Sequence, residues 1–310
     1  MSKVAFLFPG QGSQQVGMGK ALYEQSAAAK AIYDEADEAL GFSISALCFE
    51  GPAEDLTLTA NTQPAILTTS IAALAALRER TDLRPALYMG HSLGEFSALV
   101  AAGALNFADA VKLVRLRGQA MQEAVPAGVG AMAAVMGMDG ETLEGLCEQA
   151  AQGEVVSPAN ENGGGQIVVA GHVAAVDRLK ALVKEHKKRA IPLKVSAPFH
   201  CALMQPAADR LGDALASVQM GTFSAPVITN VEAEPNEDPA RVAELLVRQV
   251  THRVKWEASV QKAAHLGVES ALEVGHGKVL AGLVRRIDRS ITVRGVGSPD
   301  DIDVLNEGAS

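Results

Sequence analysis

The segment Gly90-His91-Ser92-Leu93-Gly94 has the pattern of a nucleophile elbow, in which a serine stands between two small residues at a sharp strand-to-helix turn. A short apolar run precedes this segment and an alanine-rich helix follows it, which is the context that the pattern requires. The start of that helix would direct backbone N–H groups and a positive dipole end at the same point, which favours an oxyanion. The alternative is a serine that only caps a helix beside two loop glycines.

A serine nucleophile needs a base, and histidine is the usual one. Of the seven histidines, His200 follows the last strand of a predicted insert, at its junction with the larger domain. His276, which lies between two glycines after another strand, is a competitor. Clefts between subdomains tend to hold sites, so position favours His200. His91 belongs to the turn itself, and its ring should point away from the Ser92 hydroxyl.

Arg117 lies on the apolar face of its predicted helix. Its neighbours one and two turns away are all apolar: Ala110, Leu113, Val114, Ala120, Met121 and Ala124. A buried guanidinium must find an anion, either an internal carboxylate or the carboxylate of a ligand. Helical periodicity alone favours the internal salt bridge.

The Pro9-Gly10-Gln11-Gly12 turn is rich in glycine, but it does not have the pattern of a nucleotide-binding loop. Gln15 stands where G-x-G-x-x-G has its third glycine, and no Gly-Lys-Ser/Thr follows. The glycines could bring the Gln11 backbone close to a reacting atom, or they could form a simple turn.

These residues need elements that position them, and strands alternate with helices along the first part of the chain. We predict buried strands at Val4–Phe8 and Ala86–Met89, with helices around Gly19–Leu40 and Gln63–Arg80. Asn106 is the predicted N-cap of another helix, which runs from Phe107 to about Ala124. This alternation predicts a parallel α/β sheet.

The middle of the chain has the order βαββαβ, which is typical of a ferredoxin-like unit. The predicted strands are Val129–Val135, Glu154–Ser157, Gln166–Ala170 and Ala190–Val195, and the predicted helices are Glu141–Ala151 and Val173–His186. We therefore predict an inserted subdomain at 128–196, within a large α/β domain formed by 1–127 and 197–310. Strands at Pro226–Asn230, Ser270–Val274 and Ile291–Val296 should complete the large sheet.

Composition excludes several classes of protein. The 310 residues include 27 Lys+Arg and 36 Asp+Glu, a formal net charge of −9, and 48% are hydrophobic. This acidic balance argues against nucleic acid or an anionic membrane as the main partner, and no apolar stretch is long enough to span a bilayer. The three cysteines are too few and scattered for a disulfide framework or a zinc cluster. We expect a soluble cytoplasmic protein without a metal.

Six motifs occur in the order found in the malonyl-CoA:acyl carrier protein transacylase family, which the chain resembles over nearly its full length. They are Phe6-Leu7-Phe8-Pro9-Gly10-Gln11-Gly12-Ser13-Gln14, Thr62-Gln63-Pro64-Ala65, Gly90-His91-Ser92-Leu93-Gly94-Glu95, Arg115-Leu116-Arg117-Gly118, Phe199-His200, and Glu273-Val274-Gly275 with Gly277-Lys278-Val279-Leu280. The resemblance implies an α/β hydrolase-like domain with a ferredoxin-like insert, in agreement with the strand order.

The resemblance also implies roles for individual residues. Ser92 would be the nucleophile that carries the acyl group and His200 the general base, with no cofactor besides the malonyl-CoA substrate. Backbone N–H groups of Gln11 and Leu93 would form the oxyanion hole, and Arg117 would bind the malonyl carboxylate. The remaining expected residues are Gln249, whose backbone carbonyl would orient His200, and the substrate-binding positions Asn160, Gln63, Met121 and Phe199.

The implied reaction is ping-pong transfer of malonyl from malonyl-CoA to the phosphopantetheine thiol of an acyl carrier protein, for fatty-acid synthesis. Phe199 would crowd an α-methyl group and so favour malonyl over methylmalonyl. Two other functions stay open: a hydrolase that delivers the acyl group to water, and a non-catalytic module that binds the carrier. Carriers in this family are usually acidic, so the basic residues Lys184–Arg189 or Lys278, Arg285, Arg286 and Arg289 are candidate docking faces.

The chain departs from the family pattern at two positions. Arg253 stands where the family usually has proline, four residues after Gln249, and His276 stands where proline usually separates the two glycines. The first departure predicts a different local loop near Gln249. The second makes His276 a variable loop residue rather than the base.

Overall fold

The computed structural model describes residues 3–195 and 197–307. Its ten strands, counted within those residues, are β1 (Lys3–Phe8), β2 (Leu87–Gly90), β3 (Gly130–Met136), β4 (Val156–Gly163), β5 (Gln166–His172), β6 (Arg189–Pro192), β7 (Val227–Ile228), β8 (Pro235–Asn236), β9 (Val268–Val274) and β10 (Thr292–Val296). They form two sheets, one of six strands and one of four.

Helices occupy most of the connections between strands. Within the same residues they are α1 (Lys20–Gln25), α2 (Ala27–Leu40), α3 (Ile44–Glu50), α4 (Ala53–Thr57), α5 (Thr59–Arg80), α6 (Leu93–Ala102), α7 (Phe107–Glu123), α8 (Gly140–Ala151), α9 (Val173–Glu185), α10 (Gln205–Leu215), α11 (Pro239–Thr251), α12 (Trp256–His265), α13 (Val279–Ile287) and α14 (Pro299–Glu307). None of these helices is both long and apolar enough to cross a membrane.

The six-stranded sheet has the order β10-β9-β1-β2-β7-β8, and its strands are parallel except that β7 and β8 pair antiparallel. From Ala5 to Phe8, β1 is buried on both faces, and its alternating side chains enter two different cores. Phe6 and Phe8 pack into the core that contains α5 and α7, whereas Ala5 and Leu7 pack against α12 and α13. The large part is therefore a sheet between two helical layers.

The four-stranded sheet has the order β4-β5-β3-β6 with antiparallel pairs, as expected for a ferredoxin-like βαββαβ unit. Helices α8 and α9 cover one face with an apolar core. The sheet extends from Gly130 to Pro192, inside the predicted insert at 128–196. Ser196, the predicted end of that insert, lies outside the described residues.

One short backbone pairing joins β4 to the large part. The Glu161 N–H donates to the Val254 carbonyl over 2.9 Å, and the Val254 N–H donates to the Ala159 carbonyl over 2.8 Å. Arg253 also forms ion pairs with Glu144 on α8 and with Glu161. The segment after α11 is thus fastened to the small sheet.

Several predicted elements are confirmed with small shifts in their bounds. Asn106 caps α7, with its side chain accepting from the Ala108 and Asp109 N–H groups, and α6 ends at Ala102 with Gly103 as its C-cap. The predicted helix 19–40 is wrong as a single element, since extended Ser26 ends α1 and caps α2.

Three predicted strands also differ from the structure. β6 ends at Pro192 rather than at the predicted Val195. β4 is longer than predicted, because the polar residues after Ser157 pair with β5 despite a register shift. β7 is shorter than predicted, and its antiparallel partner β8 makes the large sheet mixed rather than wholly parallel.

Candidate active site

Ser92 lies at the join of β2 and α6 with a φ of 51° and a ψ of −107°, a conformation that residues other than glycine rarely adopt. Two glycines make the turn possible. A Cβ on Gly90 would come within 1.9 Å of the Gly94 backbone, and a Cβ on Gly94 would come within 2.0 Å of the Phe8 carbonyl oxygen. The G-x-S-x-G spacing is therefore a requirement of close packing, and it leaves the serine partly exposed.

Strand register explains why the glycine-rich turn lies beside this serine. β1 and β2 are parallel neighbours, with Phe8 opposite Gly90, so the segments that follow them leave the same edge of the sheet. Gln11 lines the cavity there, and Leu93 is the first residue of α6, where N–H groups have no partner within the helix. Their assignment to an oxyanion hole stays a prediction.

The structure brings His200 to Ser92. His200 Nε2 lies 2.8 Å from Ser92 Oγ, and His200 Nδ1 lies 2.8 Å from the Gln249 carbonyl oxygen. Because a carbonyl can only accept, Nδ1 carries the proton and Nε2 is free to accept one from Ser92. Burial, and secondarily the Arg117 cation, lower the pKa of His200 to about 3. The imidazole is therefore neutral at neutral pH.

His276 and His91 have other partners. His276 Nε2 lies 3.3 Å from Gln15 Oε1, and His276 is not among the residues that line the cavity. His91 Nε2 lies 2.9 Å from Asn162 Oδ1 and its ring packs against Trp256, so it faces away from the serine hydroxyl as expected. Geometry thus separates His200 from its competitors.

Arg117 is buried, and amide and hydroxyl oxygens surround it. Its Nη1 donates to Gln63 Oε1 over 2.8 Å, and its Nη2 donates to Gln249 Oε1 over 2.9 Å and to Ser92 Oγ over 3.2 Å. None of the ion pairs among the described residues includes Arg117, so the internal salt bridge favoured by periodicity is wrong.

The Nε–H group of this guanidinium differs from its Nη groups in its hydrogen bonding. Burial lowers the pKa of Arg117 to about 10, which still leaves it cationic at neutral pH. Its buried Nε has no hydrogen-bond partner among the described residues. An unpaired buried donor on a cation is costly.

A cavity of about 150 Å³ connects these groups. Its lining contains the predicted residues Gln11, Gln63, Ser92, Arg117, Met121, Asn160, Phe199 and His200. Four further lining residues were not predicted for the site: His91, beside the serine, and Met132, Leu193 and Val195, which come from the small sheet and the segment that follows it. The cavity therefore lies between the two sheets, and one wall is apolar.

Sequence patterns missed two buried residues behind the serine. Asn230 Oδ1 accepts from the Ser92 N–H over 2.7 Å, and Asn230 Nδ2 donates to the Gly90 carbonyl over 2.7 Å. Glu95 accepts from Gln249 Nε2 over 2.6 Å, and burial raises the pKa of Glu95 to about 7. Glu95 is the last residue of the Gly90–Glu95 motif and the one charged residue of α6, but neither signal showed its partners. Asn230 had no local signal.

The fold and the Ser92–His200 pair place the chain among α/β enzymes that transfer acyl groups through a serine ester. The family model of the acyl transferase domain matches residues 5–301. The malonyl CoA-acyl carrier protein transacylase of Bacillus subtilis is 51% identical over 306 residues, which cover 98% of this chain and 96% of that protein. The chain belongs to the malonyl CoA-acyl carrier protein transacylase family.

Solved structures agree with this assignment. An acyl carrier protein S-malonyltransferase from Vibrio cholerae superposes with a TM-score of 0.96 at 47% identity, covering 98% of this chain and 100% of that one. A malonyl-transacylase solved in complex with a type II PKS acyl-carrier protein has a TM-score of 0.95 at 41% identity, covering 99% of this chain and 100% of that one.

Proposed function

We propose that this chain is a malonyl-CoA:acyl carrier protein S-malonyltransferase. It moves malonyl from malonyl-CoA to the phosphopantetheine thiol of an acyl carrier protein through an ester on Ser92, and so supplies extender units for fatty-acid synthesis. The observation that carries this proposal is the Arg117 guanidinium, which lies 3.2 Å from the Ser92 oxygen. A cation so close to the nucleophile suits an acyl group that carries a second carboxylate.

In the first half-reaction, His200 Nε2 takes the Ser92 proton while the serine oxygen attacks the thioester carbonyl. The N–H groups of Gln11 and Leu93 stabilise the tetrahedral oxyanion, and the carbon–sulfur bond then breaks. The coenzyme A thiolate leaves with the proton from His200. The product is a malonyl ester of Ser92.

In the second half-reaction, the thiol of the carrier gives its proton to His200 and attacks this ester. Ser92 leaves, recovers the proton, and the malonyl thioester of the carrier departs. The Gln249 carbonyl keeps the histidine in one tautomer throughout, so the pair needs no third carboxylate. Every proton moves between groups of the chain and its two substrates, and we propose that no cofactor takes part.

Intact mass measurement after incubation with malonyl-CoA tests the proposal. We expect one malonyl adduct that disappears when a phosphopantetheinylated carrier is added, with malonyl-carrier as the product. Ser92→Ala should abolish the adduct. Ser97→Ala, which changes a buried serine on the same helix, should keep it.

The other two candidate functions predict different results. A hydrolase would release free malonate and leave the carrier unmodified, and a carrier-binding module would form no adduct. Either result would contradict the proposal.

We also propose a cytoplasmic location. All three cysteines, Cys48, Cys147 and Cys201, are buried free thiols, as is usual in a reducing compartment. Labelling of fractionated cells with an antibody against the chain would test this location.

A further inference from the structure

The side-chain amide of Gln249 is held in one orientation. Its Nε2 donates to Glu95 Oε2 over 2.6 Å and to the Ser92 carbonyl over 3.0 Å, while its Oε1 accepts from Arg117 Nη2 over 2.9 Å. A flipped amide would turn N–H groups toward the guanidinium and an oxygen toward a carboxylate and a carbonyl. All three contacts would then become repulsive.

Glu95 and Arg117 are the two ionisable groups that distinguish these orientations. The Glu95 side chain is 2% exposed, and it can accept from Gln249 but, when ionised, cannot donate to it. The same carboxylate oxygen accepts from the Asn230 N–H over 3.1 Å. Asn230 in turn holds the Ser92 N–H and the Gly90 carbonyl, on both sides of the strained turn.

One oxygen of Glu95 therefore accepts hydrogen bonds from both Gln249 and Asn230, which contact the guanidinium of Arg117 and the backbone of Ser92. Through Gln249 it reaches the guanidinium that faces the acyl group, and through Asn230 it reaches the backbone of the nucleophile. Within the part of the chain that the structure describes, the Glu95 side chain forms no hydrogen bond with Ser92 Oγ or His200, and it does not line the cavity. The hydrogen-bond partners of its side chain are the Gln249 amide and the Asn230 N–H, and its charge also acts on the Arg117 guanidinium.

We propose that Glu95 is a positioning residue for malonyl recognition: by accepting hydrogen bonds from Gln249 and Asn230, it sets the Gln249 amide so that its oxygen holds the Arg117 guanidinium toward Ser92. This inference rests on the proposed malonyl transfer and adds to it a determinant of acyl-group preference. A residue with only a structural role would change stability without changing the preference between acyl groups.

Glu95→Met is the main test, because methionine keeps the length of the side chain and removes the acceptor. The readout is the ratio of kcat/KM for malonyl-CoA to kcat/KM for acetyl-CoA, measured on protein whose folded fraction is established by thermal unfolding. We expect the ratio to fall about tenfold, as for loss of a buried hydrogen bond to a charged group. An unchanged ratio would overturn the proposal.

Two further variants separate the acceptor from charge and from burial. Glu95→Gln keeps an acceptor and should hold the ratio within about threefold of wild type; a loss as large as that in Glu95→Met would overturn the acceptor role. Glu273→Met is the matched control, since Glu273 is a buried carboxylate that accepts from the Leu280 and Ala281 N–H groups at the start of α13. It should lower the unfolding temperature and leave the ratio unchanged.

A double-mutant cycle tests whether Glu95 acts through Gln249. In a Gln249→Met background, Glu95→Met should reduce the ratio no further, and independent losses would contradict the proposal. Should Glu95→Met fail to fold, Glu95→Asp withdraws the carboxylate by one methylene and is judged by the same ratio. A wild-type chain that forms no malonyl adduct would refute the proposed function, whereas normal transfer with an unchanged ratio in the variants would refute only the role of Glu95.

Discussion

The two sheets of this chain bury different kinds of residue. Behind the large sheet's nucleophile turn, Glu95, Arg117, Asn230 and Gln249 are each at most 2% exposed and hydrogen-bonded to one another or to Ser92. The core of the small sheet is apolar. Among the described residues of that unit the buried polar side chain is Asn160, which lines the cavity.

This difference indicates that the two parts have different roles, one in positioning the reacting groups and the other in stability. A buried polar network costs desolvation, and it is tolerated where every member has partners and where it holds reacting groups in place. An apolar core gives stability and a rigid wall. We therefore expect substitutions in the large part to change which acyl group reacts, and substitutions in the small core to change mainly stability.

Of the variants that test this difference between the two parts, Arg117→Ala should cause the largest change in the preference for malonyl-CoA over acetyl-CoA. We expect kcat/KM for malonyl-CoA to fall about a hundredfold or more, with little loss for acetyl-CoA, because only malonyl has the second carboxylate. Steady-state kinetics with both thioesters measures this. Arg115→Ala is the matched control: Arg115 lies on the same helix but donates to Asn61 and stacks on Phe42. An unchanged preference between malonyl-CoA and acetyl-CoA in Arg117→Ala would contradict the role of Arg117 in binding the malonyl carboxylate.

Leu179→Ala tests the other side of the comparison. Leu179 on α9 is fully buried in the apolar core of the small sheet, and its truncation should destabilise folding by about 2–5 kcal/mol. Chemical denaturation measures this loss. The malonyl-to-acetyl ratio of the folded protein should stay as in wild type. A shift in that ratio would mean that the small unit does more than enclose the cavity.

Basic clusters on both parts allow the comparison to be extended to the carrier. Lys278, Arg285 and Arg289 line one groove of about 570 Å³ in the large part, whereas Lys184–Arg189 lies in the small unit. For an acidic carrier we expect Lys278→Glu with Arg285→Glu to raise the carrier KM about fivefold. The KM for malonyl-CoA should not change. If Lys187→Glu with Lys188→Glu has the larger effect, the carrier docks on the small unit.

The pH dependence should show the smallest change. Only neutral His200 can take the Ser92 proton, and its pKa of about 3 lies below the ordinary value of 6.5, so the base stays neutral as the pH falls. Between pH 7.5 and 5.5 we expect kcat/KM for malonyl-CoA to fall less than about twofold, where an ordinary histidine would lose about tenfold.

Glu95, with a pKa raised to about 7, also titrates in this pH range, so the profile should be repeated with Glu95→Gln. A midpoint near 6.5 in both proteins would contradict the lowered pKa of His200.

Much of the fold follows from local sequence signals. The elbow glycines and the Asn106 cap are each encoded within a few residues, the βαββαβ order follows from successive local patterns between Gly130 and Pro192, and the structure reproduces all three. The bounds of β4 and β7 were harder, because pairing with a neighbouring strand rather than side-chain pattern decides where those strands end. The break at Ser26 also depends on a single cap that an apolar pattern does not reveal.

The site was predictable where a motif names the residue and less so where partners come from distant segments. Helical spacing showed that Arg117 is buried, but not that its partners are Gln63 and Gln249, which lie 54 and 132 residues away. Asn230 reaches Ser92 across 138 residues. Such contacts form only when the sheet is assembled, so they could not be predicted from local patterns in a single sequence.

The backbone pairing between β4 and Val254 limits how a substrate can reach the serine. Val254 lies five residues after Gln249, whose carbonyl holds His200, so this edge of the cavity cannot widen without breaking two backbone hydrogen bonds and disturbing the base. On another part of the rim, Leu193 and Val195 are exposed and line the cavity. We therefore expect the thioester arm to enter beside Leu193 and Val195, away from the edge that the β4–Val254 pairing holds closed.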